Sequence, residues 1–145
     1  MKRMNKMLGT LLGGALLTGA LALPTTATAM NPLVTPKVVI QVSDSDPAKW
    51  NLALNNAKNV QKDLKGATIE IVAYGPGIGM LKADSVVANR IDDAVDSGVK
   101  VVACGNTMKG QKLSKEDMNP KVGYVQAGVV ELMDRQMDGY TYIRP

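Results

Sequence analysis

KVVIQVSDSDPAKW, Lys37 to Trp50, carries the reading of the fold. Its first six residues, KVVIQV, form a continuous β-branched run rather than an alternation. That pattern marks a strand buried on both faces. The loop SDSD follows. Asp46 then precedes Pro47, a capping side chain next to a residue whose fixed φ suits the first helical position. Trp50, Ala53, Leu54, Ala57, Val60 and Leu64 recur at helical spacing, and Gly66 closes the segment. Strand, loop and helix in that order make the repeating unit of a parallel sheet.

Further along the chain the unit returns. Thr68 to Tyr74, TIEIVAY, reads as a second strand and GPGIG as the turn after it. A helix is expected over about Asp84 to Ser97, with Val87, Ile91, Ala94 and Val95 as its stripe and Gly98 as its stop. Val99 to Cys104, VKVVAC, is a third buried strand. A short helix is expected over Thr107 to Leu113, and SKED marks another helical turn. Val122 to Val125 is a short strand, Gly128 to Asp138 a helix ended by Gly139, and Tyr140 to Ile143 the last strand. Met133 and Met137 lie one helical turn apart and are assigned to the core face of that helix. The alternation predicts a three-layer α/β/α domain over residues 37–145, with a mostly parallel sheet of about five strands.

Toward the amino end, Asn31 to Pro36 is an extended leader, part of the stretch 30–36. Before it, MKRMNK is basic, an apolar run follows, and then PTTATA with an Ala27-Thr28-Ala29 cleavage site. Residues 1–29 therefore read as a cleaved signal peptide, which sends the protein to the periplasm or the medium. An uncleaved anchor is the alternative. The run Met7 to Leu23, however, is 17 residues, broken by four glycines and short for a membrane span. Removing 29 of 145 residues leaves 116, enough for one core. Three of the 17 basic residues leave with the signal, so 14 face 13 acids. A balance of +1 carries no basic patch for nucleic acid, and no later segment is apolar enough to hold the mature chain in a membrane.

The chain has one cysteine and no histidine. One cysteine makes no intrachain disulfide. Without histidine, Cys–His and Ser–His–Asp catalysis within the chain are excluded, as are zinc sites of cysteine and histidine. No cofactor motif is present: GPGIG is neither GxxxxGK[ST] nor GxGxxG.

In an open parallel sheet, ligands sit beyond the carboxyl ends of the strands. Three loops fall there: Ser43-Asp44-Ser45-Asp46, Gly75-Pro76-Gly77-Ile78-Gly79 and Cys104-Gly105-Asn106-Thr107. Cys104 is the candidate catalytic group, since amides opening a helix stabilise a thiolate. Gly105, Asn106, Thr107, Gly75, Gly77, Ser43 and Asp44 are the candidate pocket or anion-binding residues. Each has a plainer reading. A free cysteine is commonly a small buried hydrophobe, GPGIG a turn needing unusual φ and ψ, and Asp44 with Asp46 a solvated loop with one cap. Cys104 with Met108 is thin support for a soft metal, and no metal site is assigned.

KVVIQVSDSDPAKWNLALNNAKNV, IEIVAYGPGIGML, VKVVACGNTMKGQKL and VGYVQAGVVELMDRQMDGYTYIRP together resemble the DsrE/DsrF-like family, which includes sulfur-relay subunits. The resemblance implies a flavodoxin-like sheet and a homo-oligomer, a trimer or hexamer. It also implies a cysteine after a central strand that carries sulfur as a persulfide, with Cys104 at that position, and a sulfur donor or acceptor protein as partner. GNTMKG differs from the often Arg-containing segment of relay proteins. The relay to tRNA is cytoplasmic, so that role is not carried over to an exported chain. The function expected is a thiol-based sulfur carrier or sulfurtransferase-like protein acting through Cys104. The alternative is a non-catalytic small-molecule or anion-binding module, or an oligomeric interaction module.

Overall fold

The computed structural model describes residues 35–145. Residues 1–29, read as a signal peptide, lie outside the described residues, as does the leader up to Val34. β1 spans Lys37–Val42, and every residue after Lys37 is buried. α1 (Pro47–Asp63) starts where the capping pair placed it: the Asp46 carboxylate accepts from the Ala48 N–H at 2.8 Å. Trp50, Ala53, Leu54 and Ala57 are its buried stripe, and Gly66 turns the chain at φ 79°.

The remaining strands are β2 (Thr68–Ala73), β3 (Lys100–Cys104), β4 (Gly123–Val125) and β5 (Thr141–Ile143). The remaining helices are α2 (Ala88–Asp96), α3 (Gly105–Gly110) and α4 (Gly128–Met137). The five strands form one sheet in the order β4-β3-β2-β1-β5. Every pairing is parallel, with Val38 opposite Ile69 and Thr141, and Cys104 opposite Val125.

Strand order decides which face each helix covers. The chain steps from β1 through β4 in one direction, then returns past β1 to β5. Right-handed crossovers therefore put α1, α2 and α3 on one face and α4 on the other. The two cores follow. The larger packs Val38, Ile40, Ile71, Val101 and Ala103 against Trp50, Leu54, Ile91 and Met108. The smaller packs Val39, Val72 and Val102 under Leu132 of α4. This is the three-layer architecture expected from the alternation.

Local corrections have physical causes. GPGIG opens a 3-10 helix, Gly75–Leu81, rather than a simple turn, because Ile78, Met80 and Leu81 are pulled into the core. α2 begins at Ala88, not near Asp84. Ser85 holds the approach as a turn, accepting from Ala88 N–H at its carbonyl and from Val87 N–H at its hydroxyl. Met133 and Met137 are 57% and 77% exposed, not core. Gly128 and Leu132 are the buried residues of α4, which turns both methionines outward.

Candidate functional site

β3 and β4 are neighbours, but their chains leave for opposite faces, β3 into α3 and β4 into α4. Such a divergence opens the crevice in which parallel sheets place ligands. Cys104 is the last residue of β3 and the N-cap of α3, with extended φ and ψ of −74° and 114°. The sole cysteine thus stands where the connections switch from one face of the sheet to the other.

Its sulfur serves as the side-chain cap of α3. The Thr107 N–H donates to Sγ at 3.4 Å. The Thr107 hydroxyl accepts from the Gly75 N–H at 2.9 Å, which leaves its own proton free for the sulfur. Backbone N–H groups of Gly128 and Asn106 also favour the anion. Burial pushes the thiol pKa up. Hydrogen bonds from the Thr107 side chain and from the Gly128, Thr107 and Asn106 amides outweigh it, so the net shift is down. Donors come from the starts of two helices on opposite faces of the sheet, and a developing negative charge on sulfur meets fixed dipoles. Cys104 is nevertheless only 4% exposed.

Glycines let this crowding occur. A Cβ on Gly128 would stand 2.9 Å from Cβ of Tyr74, so α4 approaches β2 only because that position is bare. A Cβ on Gly105 would lie 3.2 Å from the Val125 carbonyl oxygen. The Asn106 N–H donates to the Gln126 carbonyl at 3.1 Å, and the Gln126 amide donates to Asn106 Oδ1 at 3.3 Å. These bonds tie the exit of β4 to the start of α3.

Of the candidate residues, the structure brings Cys104, Gly105, Asn106, Thr107 and Gly75 together. Gly77 is packed against the Val42 carbonyl, at the end of β1. Ser43 accepts from the Gln41 side chain at 3.0 Å. Asp44 accepts from the Trp50 indole at its carbonyl, at 2.7 Å, and faces Arg144 through its carboxylate at 3.5 Å. Those three residues serve the β1–β5 end of the edge. Among the described residues, no group of three or more His, Cys, Asp or Glu could hold a metal. Gly128 and Tyr74 were not among the candidates. Their part depends on β4 lying beside β3, and no local pattern states strand order.

The DsrE/DsrF-like family model matches residues 36–145. The chain belongs to the DsrE/DsrF-like family. Membership places it in the sulfur-relay superfamily at that coarse level. A solved structure of a protein of unknown function from Methanobacterium thermoautotrophicum is similar to this DsrE-like chain at 32% identity, with a TM-score of 0.74. That match covers 76% of this chain and 99% of the other. A conserved protein of unknown function from Bacteroides thetaiotaomicron shares the fold at 17% identity, with a TM-score of 0.63, over 75% and 94% of the two chains. No functionally curated protein matches. Among the described residues, no helix of the DsrE-like domain is long and apolar enough to cross a membrane.

Proposed function

We propose that this DsrE-like protein carries sulfur on Cys104 as a persulfide. The observation that carries the reading is the Thr107 N–H, at the start of α3, donating to a sulfur at the switch point, with the Gly128 amide of α4 also favouring the anion. The Cys104 thiolate attacks a sulfane sulfur of a polysulfide or donor persulfide. A new S–S bond forms, the old one breaks, and the donor's thiolate leaves with its electron pair. An acceptor thiolate then takes the outer sulfur and returns Cys104 to the anion. The same amides hold the charge at the start and at the end.

The site belongs to an exported homo-oligomer that meets a sulfur donor or acceptor protein. Residues 1–29 and family membership support that setting. The outer face of α4 supports the oligomer: Val129, Val130, Met133 and Met137 are each more than half exposed and lie along one side of the helix. An apolar stripe of this kind is a contact surface, and a second copy is its proposed occupant.

Intact mass after polysulfide treatment tests the reading. Wild type gains the mass of one or more sulfur atoms, reversed by a reducing thiol, and Cys104→Ser gains none. Slow, pH-insensitive alkylation of folded wild type would sink it. The burial of Cys104 favours a second reading, in which the sulfur is only the cap of α3. In that case Cys104→Ser keeps the fold, and neither protein loads sulfur.

A further inference from the structure

On the α4 face of the sheet, the carboxyl edge carries a second polar group besides Cys104. Alternation along each strand decides which side chains share that face. Val39, Val72 and Val102 pack under Leu132, with Tyr74 against them. Gln41 lies two residues after Val39, Tyr74 two after Val72 and Cys104 two after Val102, so all three continue on that face. Val42 pairs with Ala73, and Ala73 with Ala103. One residue further on, Ser43, Tyr74 and Cys104 therefore form a row. The Tyr74 N–H donates to the Val42 carbonyl at 3.1 Å, so the register holds at that level. Two strand spacings, about 10 Å, separate Ser43 from Cys104.

Gln41 is 8% exposed, an amide in a strand that is otherwise apolar after Lys37. Both its ends are engaged. Its Oε1 accepts from the Tyr142 hydroxyl of β5 at 2.6 Å, and its Nε2 donates to Ser43 Oγ at 3.0 Å. A hydroxyl that accepts from an amide keeps its own proton to give. The chain Tyr142, Gln41, Ser43 thus runs one way and ends on a donor at the edge of the sheet. An amide is costly to bury where an aliphatic side chain would pack. What it gains here is a fixed Ser43 hydroxyl.

We propose that Ser43 and Tyr74 form a subsite beside Cys104 for the peptide part of a cysteinyl persulfide, a short peptide thiol of about tripeptide size. The inference rests on the persulfide reading of Cys104 and names its donor. The outer sulfur meets Cys104, the donor's cysteine lies over Tyr74, and a backbone carbonyl accepts from Ser43. Three extended residues span about 10 Å, which matches the row. Cys104 is 4% exposed, which admits a small flexible chain rather than a folded surface. In the transfer, the Cys104 thiolate forms a new S–S bond to the outer sulfur. The donor's S–S bond breaks, and the peptide leaves as a thiolate with the electron pair. Ser43 binds the donor, and Gln41 is a positioning residue acting through Ser43.

Loading of Cys104 is followed by intact mass with two donors, glutathione persulfide and inorganic polysulfide, in wild type, Ser43→Ala and Ser43→Thr. Polysulfide has no carbonyl for Ser43. In Ser43→Ala the ratio of the glutathione persulfide rate to the polysulfide rate is expected to fall about fivefold, the worth of one hydrogen bond. The fall comes from a higher half-saturating concentration, and Ser43→Thr, which keeps the hydroxyl, restores the ratio. An unchanged ratio in Ser43→Ala overturns the subsite and leaves the persulfide reading standing. Binding is read separately with S-methylglutathione, which transfers no sulfur, in Cys104→Ser. The Ser43 and Tyr74 amide resonances are expected to move in nitrogen–proton NMR, and resonances that stay in place overturn the subsite. If they move while neither donor loads wild type, the subsite stands as a peptide site and the persulfide reading falls.

Discussion

Thr107 has one side-chain oxygen and two duties: it accepts from Gly75 and turns its proton to Cys104. Thr107→Val removes that donor, and alkylation of Cys104 at neutral pH is expected to slow by about tenfold, the worth of one hydrogen bond to an anion. Thr107→Ser keeps the donor and should stay near the wild-type rate. The lowered thiol pKa also has a sign for stability. Cys104 binds its proton less tightly folded than unfolded, so its contribution grows as pH rises from the folded pKa toward the ordinary thiol range. It is lost as pH falls through the folded pKa. Wild type should gain in melting temperature over Cys104→Ser across that window, and equal slopes would contradict the lowered pKa. At this scale the sequence showed a thiol at a strand end followed by helix-opening amides. It did not show Gly128, because that donor arrives from the far side of the sheet.

At the scale of elements, local chemistry and long-range packing divide the outcome. β1 and the start of α1 stood where KVVIQV and Asp46-Pro47 placed them, because strand burial and capping are written within a few residues. Asp46→Ala should cost about 1 kcal/mol in urea unfolding, the usual worth of an N-cap. α3 ends differently from expectation: Lys112 takes the left-handed conformation at φ 55°, where a glycine would be at ease. Lys112→Gly is expected to stabilise by about 1 kcal/mol, and no gain would mean that the side chain offsets the strain. The facing of α4 was not legible. Its spacing offers one stripe through Gly128 and Leu132 and another through Val129, Met133 and Met137. Apolarity alone favours the methionines. The bare Gly128 against Tyr74, with Glu131 and Arg135 over Glu70, decides for the other side.

For the whole molecule, the outward methionines and the buried acid make opposite demands on the surface and the core. Met133→Glu should lower the oligomeric state in sedimentation while leaving the monomer fold intact; unchanged sedimentation would remove α4 as the contact. Glu70→Ala removes the buried carboxylate that Lys100 and Arg135 both face and should cost about 3 kcal/mol or more. The layer architecture could be read ahead of the structure, since alternating strands and helices have few packings. The sheet order could not, since it is a property of the returning connection. That order has a consequence for how the molecule comes to exist. β1 is paired on one side by β2 but on the other only by β5, and 101 residues separate Gln41 from its partner Tyr142. Loops of that span close slowly. Ile143→Val is therefore expected to slow folding in stopped-flow measurements, whereas Leu54→Ala mainly hastens unfolding; the reverse pattern would place the nucleus in α1. Until the final strand docks, β1 presents a bare apolar edge to every neighbouring chain, and aggregation during folding is the hazard this topology carries.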